Sequence, residues 1–278
     1  MPYRFILIPL LALTAVYFWY GLSQDSLNPY VILIMVVTAV ALFIFKHQIN
    51  DYFYQIKTPE FSEQEKLFLI DRYTFIKNLS SEEQAIFFEE LSRACLLHEF
   101  IPMNVSKMYE ELKWMVLAPA VRLHVFKEKA IWRRYQRTVI YPHPFITPNV
   151  QQVHILERDR EDGVLILSEE QLRASFWDSN KYLNPSLYLW CQICIEEKTI
   201  PETNFDAAAL DQFCKLIYNQ SADQIRNYFG FMELSATALI LMACTSQEEE
   251  IKMHFESLWN QYHLFINPTN HGTNEGRR

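Results

Sequence analysis

The sequence predicts an α+β protein, mostly helical, in which a two-helix transmembrane hairpin precedes one folded domain carrying a small β-sheet. Three observations predict it. Phe5 to Gly21 and Tyr30 to Phe45 are nearly uncharged apolar stretches, separated only by Leu22-Ser-Gln-Asp-Ser-Leu-Asn-Pro29. Four serines stand three positions before a Glu or Gln, each at the head of a run with helical apolar spacing. Three short segments rich in β-branched and aromatic residues interrupt those runs.

Each apolar stretch is near the lower end of the roughly 17–25 residues that cross a hydrocarbon core, and flanking Tyr, Trp and Lys extend a span at the interfaces. A cleaved signal peptide accounts for the first stretch but not the second. Neither stretch has the polar stripe of an amphipathic core helix. Arg4 precedes the first, Lys46 and Lys57 follow the second, and the loop holds only Asp25. The positive-inside rule then puts both ends in the cytoplasm. Residues 1–46 are expected to form the hairpin in the inner (cytoplasmic) membrane, 47–60 a linker, 61–268 a domain facing the cytoplasm and 269–278 a disordered tail, because the composition from Asn267 onward lacks core-forming residues.

In the domain, the pairs Ser62 and Glu65, Ser80 and Glu83, Ser221 and Gln224, and Ser246 and Glu249 have the capping-box spacing, in which each side chain satisfies a free backbone N–H of the first turn. The predicted helices are 61–79, 82–100, 106–127, 185–198, 206–219, 223–244 and 248–265. The predicted strands are 137–141, 152–156 and 163–167, the last two joined through a charged turn that ends at Asp162-Gly163.

The net charge is −8, and residues 1–46 change it little, since they bring Arg4, Lys46 and Asp25. This argues against nucleic-acid binding. The local run Arg133-Arg134-Tyr-Gln-Arg137 reads as a solvated helix end rather than a phosphate track. Five cysteines, an odd number, suit reduced thiols better than a disulfide framework.

The order of these elements comes with particular residues. Leu79-Ser-Ser-Glu-Glu-Gln84, Phe100-Ile-Pro102, the apolar helix through Ala118-Pro-Ala120, Val139-Ile-Tyr-Pro-His-Pro-Phe145, Gly163-Val-Leu-Ile-Leu167, Ser257-Leu-Trp259 and Phe265-Ile-Asn-Pro268 together resemble the Mlc titration factor A family. The resemblance runs from about Phe61 to Pro268, and the strand ending in Phe145 is its most specific piece. It implies a gluzincin-like zinc-peptidase fold, in which two His of an H-E-x-x-H helix hold the metal, the Glu between them is the general base, and a Glu from a later helix completes the shell.

On that pattern the two His positions carry Trp190 and Cys194, the general-base position carries Cys191, and the later ligand position carries Ser235. Tyr228 matches the family's oxyanion-stabilising Tyr. Between His154 and His254 there is no histidine, and the one displaced start, His98-Glu99, has Pro102 where a second His would stand. The expectation is therefore no catalytic residue, no resident cofactor, and a retained Tyr228 that packs.

Cys191 and Cys194 form a C-x-x-C on a predicted helix, half of a zinc site or a redox couple, with Cys214 and Cys244 on other helices as possible further thiolates. Their neighbours Leu187, Leu189, Trp190, Ile193 and Ile195 favour buried, inert thiols. Trp114, Trp132, Trp177 and Trp259 are expected at the core or its rim, His143 in a surface turn, and Glu233 facing water or paired with Arg226. Two function classes follow. One is a membrane-tethered, non-catalytic peptidase-fold protein that binds an unidentified protein or peptide through the former substrate groove. The alternative is an enzyme, either a zinc peptidase with an unconventional metal shell or a thiol or metal site at Cys191 and Cys194.

Overall fold

The computed structural model describes residues 3–24, 28–46, 48–49, 52–53, 58–104, 108–124, 131–198, 200–230 and 233–266. The expected disordered tail and half of the linker lie outside them. The chain divides into two compact units, Met1–Pro59 and Glu60–Arg278.

The first unit contains α1 (Tyr3–Ser23) and α2 (Pro29–Ile44). Asn28 caps α2, its side chain accepting from the Tyr30 N–H at 3.0 Å, and Pro29 takes the first helical position, where its missing N–H costs nothing. The Asn28 N–H itself donates to Tyr17 Oη of α1 at 3.2 Å. Thr14 and Thr38, the hydroxyls inside the apolar helices, donate to the carbonyls of Leu10 and Ile34 one turn back. Each thus satisfies its polar group within its own helix, as an apolar solvent demands. Arg4–Ser23 is long and apolar enough to cross a membrane and its side chains are largely exposed; α2 is apolar but shorter.

The second unit is mostly helical and holds a mixed sheet of four strands, not three, in the order β1 (Glu99–Pro102), β2 (Arg137–Tyr141), β4 (Val164–Ser168), β3 (Leu156–Asp159). β1, β2 and β4 run parallel, and β3 pairs antiparallel with β4. The alternation of β2 and β4 buries Thr138, Ile140, Leu165 and Leu167. β1 was expected to be the end of a helix. That helix, α5 (Ser81–Leu97), stops at His98, which turns extended, and Pro102 sits on an edge strand, where a missing N–H is tolerated. The hairpin register also shifts: Glu157 to Asp159 belong to β3 rather than to the turn. Gly163 closes that turn at φ +62°, where an added Cβ would lie 2.6 Å from the Arg134 carbonyl oxygen.

Three of the four capping boxes form in full, at Ser62, Ser80 and Ser221. The fourth does not, because Ser246 ends a helix and donates to the Met242 carbonyl. Three predicted helices are broken. The first becomes α3 (Glu63–Arg72) and α4 (Thr74–Lys77), separated by Tyr73, whose buried ring stacks on Phe75 at 4.7 Å and meets Phe176 at 5.4 Å. The run 223–244 becomes α10 (Ala222–Phe229) and α11 (Ala236–Ser246). The run 248–265 becomes α12 (Glu248–His254), α13 (Glu256–Tyr262) and a 3-10 turn, with the ring of the intervening Phe255 against Phe213 at 5.1 Å. The remaining helices are α6 (Glu110–His124), α7 (Glu169–Trp177), α8 (Pro185–Lys198) and α9 (Ala207–Tyr218). α7 was not anticipated, although Ser168 and Gln171 carry the capping spacing; here Ser168 Oγ contacts the Gln171 side chain at 2.5 Å instead of capping the backbone.

α8 lies at the centre. It contacts α6, α7, α11 and β3, and Leu187 to Ile195 are all buried except Gln192. A helix apolar on every side belongs in the core.

Candidate functional site

The positions that the resemblance marks as catalytic lie on α8, α10 and the start of α11. Trp190 is fully buried, and its indole N–H donates to the Val116 carbonyl at 2.8 Å. Ser186 Oγ, one turn earlier, donates to the same oxygen at 2.8 Å. Val116 precedes Pro119 by three residues inside α6. The indole therefore ties α8 to α6, with Tyr135 edge-on to it at 6.4 Å. Trp190 does not face a groove.

Cys191 and Cys194 are also fully buried. Cys191, Cys214 and Cys244 lie around Tyr218, whose hydroxyl donates to the Leu239 carbonyl at 2.5 Å. Burial pushes the Cys214 and Cys244 thiols up to about 12, which leaves little thiolate at neutral pH to bind metal or attack a disulfide. Among the described residues no three His, Cys, Asp or Glu side chains are placed to hold a metal ion. The donor set does not fit zinc: an indole has no lone pair to give, and Cys191 and Cys194 are closed inside the core.

Ser235 is the N-cap of α11, its Oγ accepting from the Ala238 N–H at 3.2 Å. Its own N–H donates to Tyr188 Oη at 3.0 Å. Tyr188 was not singled out by sequence, since it lies two residues before the motif positions. It nevertheless joins α8 to α11, with its ring stacked on Phe229 at 4.6 Å and its phenol pushed up to about 12 by burial. Tyr228 is half-buried and donates to the Leu183 carbonyl at 3.2 Å, its ring near Tyr182. It thus fastens α10 to the segment that leads into α8. Glu233 is exposed, and Arg226 pairs with Asp223 rather than with it.

Phe229 and Gly230, at the end of α10, lie along the segment that leads into β3. Gly230 ends α10 in the left-handed region at φ +79°, and an added Cβ would meet Val153 O at 2.4 Å and His154 Cα at 2.6 Å. The Phe229 carbonyl accepts from the Ile155 N–H at 3.3 Å, and the Gly230 carbonyl from Gln152 Nε2. The backbone groups of His154 and Ile155 are taken by Phe145, Phe229 and Ser168 of the chain itself. Beneath Gly230, buried His154 contacts Glu157 at 3.0 Å and the Gln152 carbonyl at 2.8 Å, while Thr147 donates to Glu157 at 2.7 Å.

Of the other expected residues, Trp114, Trp132 and Trp259 are buried and Trp177 lies half-exposed at the rim. His143 is an exposed turn residue beside Glu170 at 2.9 Å. His98 caps the end of α5 and does not begin a metal helix. No family model matches this sequence and no curated protein is similar to it.

Proposed function

We propose that this chain is a membrane-tethered, non-catalytic protein of the peptidase-like fold that the Mlc titration factor A resemblance implies, and that it acts by binding a protein or peptide. One observation carries the reading: the H-E-x-x-H positions Trp190, Cys191 and Cys194 are closed inside the core, and Ser235 serves as a helix cap. Zinc hydrolysis needs ligands, a base and room for water on one face. None of these positions supplies any of the three.

The tether is α1 followed by α2, with both ends of the pair in the cytoplasm and the domain on that side of the inner membrane. The exposed apolar side chains of both helices and the self-satisfied Thr14 and Thr38 support this assignment. The reading is tested on the full chain purified in detergent, by measuring bound metal and peptide hydrolysis. The expected result is substoichiometric metal and no chelator-sensitive turnover. Stoichiometric zinc, together with turnover lost on Cys191→Ser or Cys194→Ser, would establish the enzyme reading instead.

A further inference from the structure

A cavity of about 460 Å³ opens where α3 and α4, the α7–α8 connection and the α11–α12 junction come together. That is within the size range of small-ligand sites. It extends away from the motif region: Ser246, at the far end of α11, is roughly 16 Å along the helix from Ser235 at 1.5 Å per residue, while Leu187, one turn before Trp190, forms its near wall.

Six side-chain carboxamides line it, Asn78, Asn180, Asn184, Asn219, Gln220 and Gln247, above a floor that includes Phe176 and Leu187. A carboxamide donates and accepts at once, as a peptide group does. Two are already engaged, Asn184 Oδ1 by the Leu187 N–H and Gln220 Nε2 by the Lys181 carbonyl. Tyr73, only 7% exposed, also lines the cavity, and its hydroxyl makes no hydrogen bond; the Asn184 side chain is close to it but does not reach hydrogen-bonding geometry.

The charge at the rim has a sign. Arg72 is held over the Trp177 ring at 4.5 Å and Lys181 over Tyr182 at 5.0 Å. Glu248 is tied to Lys252, whereas Glu249 and Glu250 line the opening and enter no ion pair among the described residues. Arg72 and Lys181 stand against Glu248, Glu249 and Glu250 in the lining, so the lining charges sum to a negative value.

We propose that this cavity binds a short extended peptide segment bearing a Lys or Arg side chain. Its backbone meets the carboxamides, and its cation meets Glu249 and Glu250. The proposal rests on the peptide-binding reading and gives that function a place away from the closed motif.

The test is fluorescence polarisation on the full chain in detergent, with a labelled, end-blocked Ala-Lys-Ala peptide and its Ala-Glu-Ala counterpart. The lysine peptide is expected to bind about tenfold tighter, the size of two exposed ion pairs. Glu249→Gln with Glu250→Gln should erase that preference. Equal binding of the two peptides, no binding, or a preference that survives the double substitution overturns the proposal. If it fails while the chain still lacks zinc and turnover, the cavity assignment falls and the non-catalytic reading stands.

Discussion

The middle and the leading end of α8 differ sharply. From Tyr188 to Cys194 the side chains are buried except Gln192, and the indole and phenol of Trp190 and Tyr188 are spent on protein partners, Val116 and Ser235. At the leading end, Asn184 and Leu187 open onto a cavity walled by polar side chains. One helix therefore carries a sealed packing core where a peptidase would keep its metal, and an accessible polar wall one to two turns away. A motif position reports chemistry only where it also has access to solvent.

The hardest way to break this comparison is to reinstate the ligands. Trp190→His with Cys194→His should cost at least about 3–5 kcal/mol, the usual loss for truncating a buried Trp, because the imidazoles enter a filled core. Denaturant midpoints taken with and without zinc should show that loss and no rescue by metal. A zinc-dependent gain in stability would mean that the middle of α8 still holds a metal cavity.

Gly230→Val tests whether the end of α10 seals the approach to β3. The left-handed conformation alone costs about 1–3 kcal/mol, and a side chain there collides with backbone at Val153 and His154. Thermal melts should show a clear loss. A wild-type midpoint would mean that Gly230 does not lie against residues 153–154 in solution.

His98 sharpens the contrast from another part of the core. Burial pushes its imidazole down to about 3 from an ordinary 6.5, and its Nε2 lies 2.7 Å from Thr138 Oγ1. The unfolded chain takes up a proton that the folded chain refuses, so this group's stability is complete above about 6.5 and is lost as pH falls toward 3. One proton corresponds to about 1.4 kcal/mol per pH unit within that window. Urea titrations across it should give a shallower pH slope for His98→Gln than for wild type. Parallel slopes would show that His98 does not differ between the states.

The smallest effect is local. Ser221→Ala removes one half of a complete capping box and should cost about 1 kcal/mol, with binding at the cavity unchanged. A larger loss, read by chemical denaturation, would show that the start of α10 supports more than its own first turn.

Much of the domain was legible because it rests on local rules. Ser62, Ser80 and Ser221 start helices by side-chain geometry alone, and the apolar periods of α8 and α9 gave their bounds to within a residue. The breaks were less so. Gly230 gave a readable signal, but nothing near Tyr73 or Phe255 announces an interruption; those residues leave the helix because distant rings, Phe176 and Phe213, offer better packing. β1 was missed because a parallel strand is stabilised by a partner far along the chain, here β2.

The sequence by itself determined the apolar N-terminal stretches, the helical majority, and the absence of His and Glu from the motif positions, since these depend on composition and short-range spacing. Only the tertiary structure decided that Trp190 turns into the core toward α6, that Phe229 and Gly230 occupy the approach to β3, and that carboxamides from several helices surround one cavity. Burial, carbonyl access and the convergence of side chains depend on contacts between residues tens of positions apart, and no local pattern encodes them.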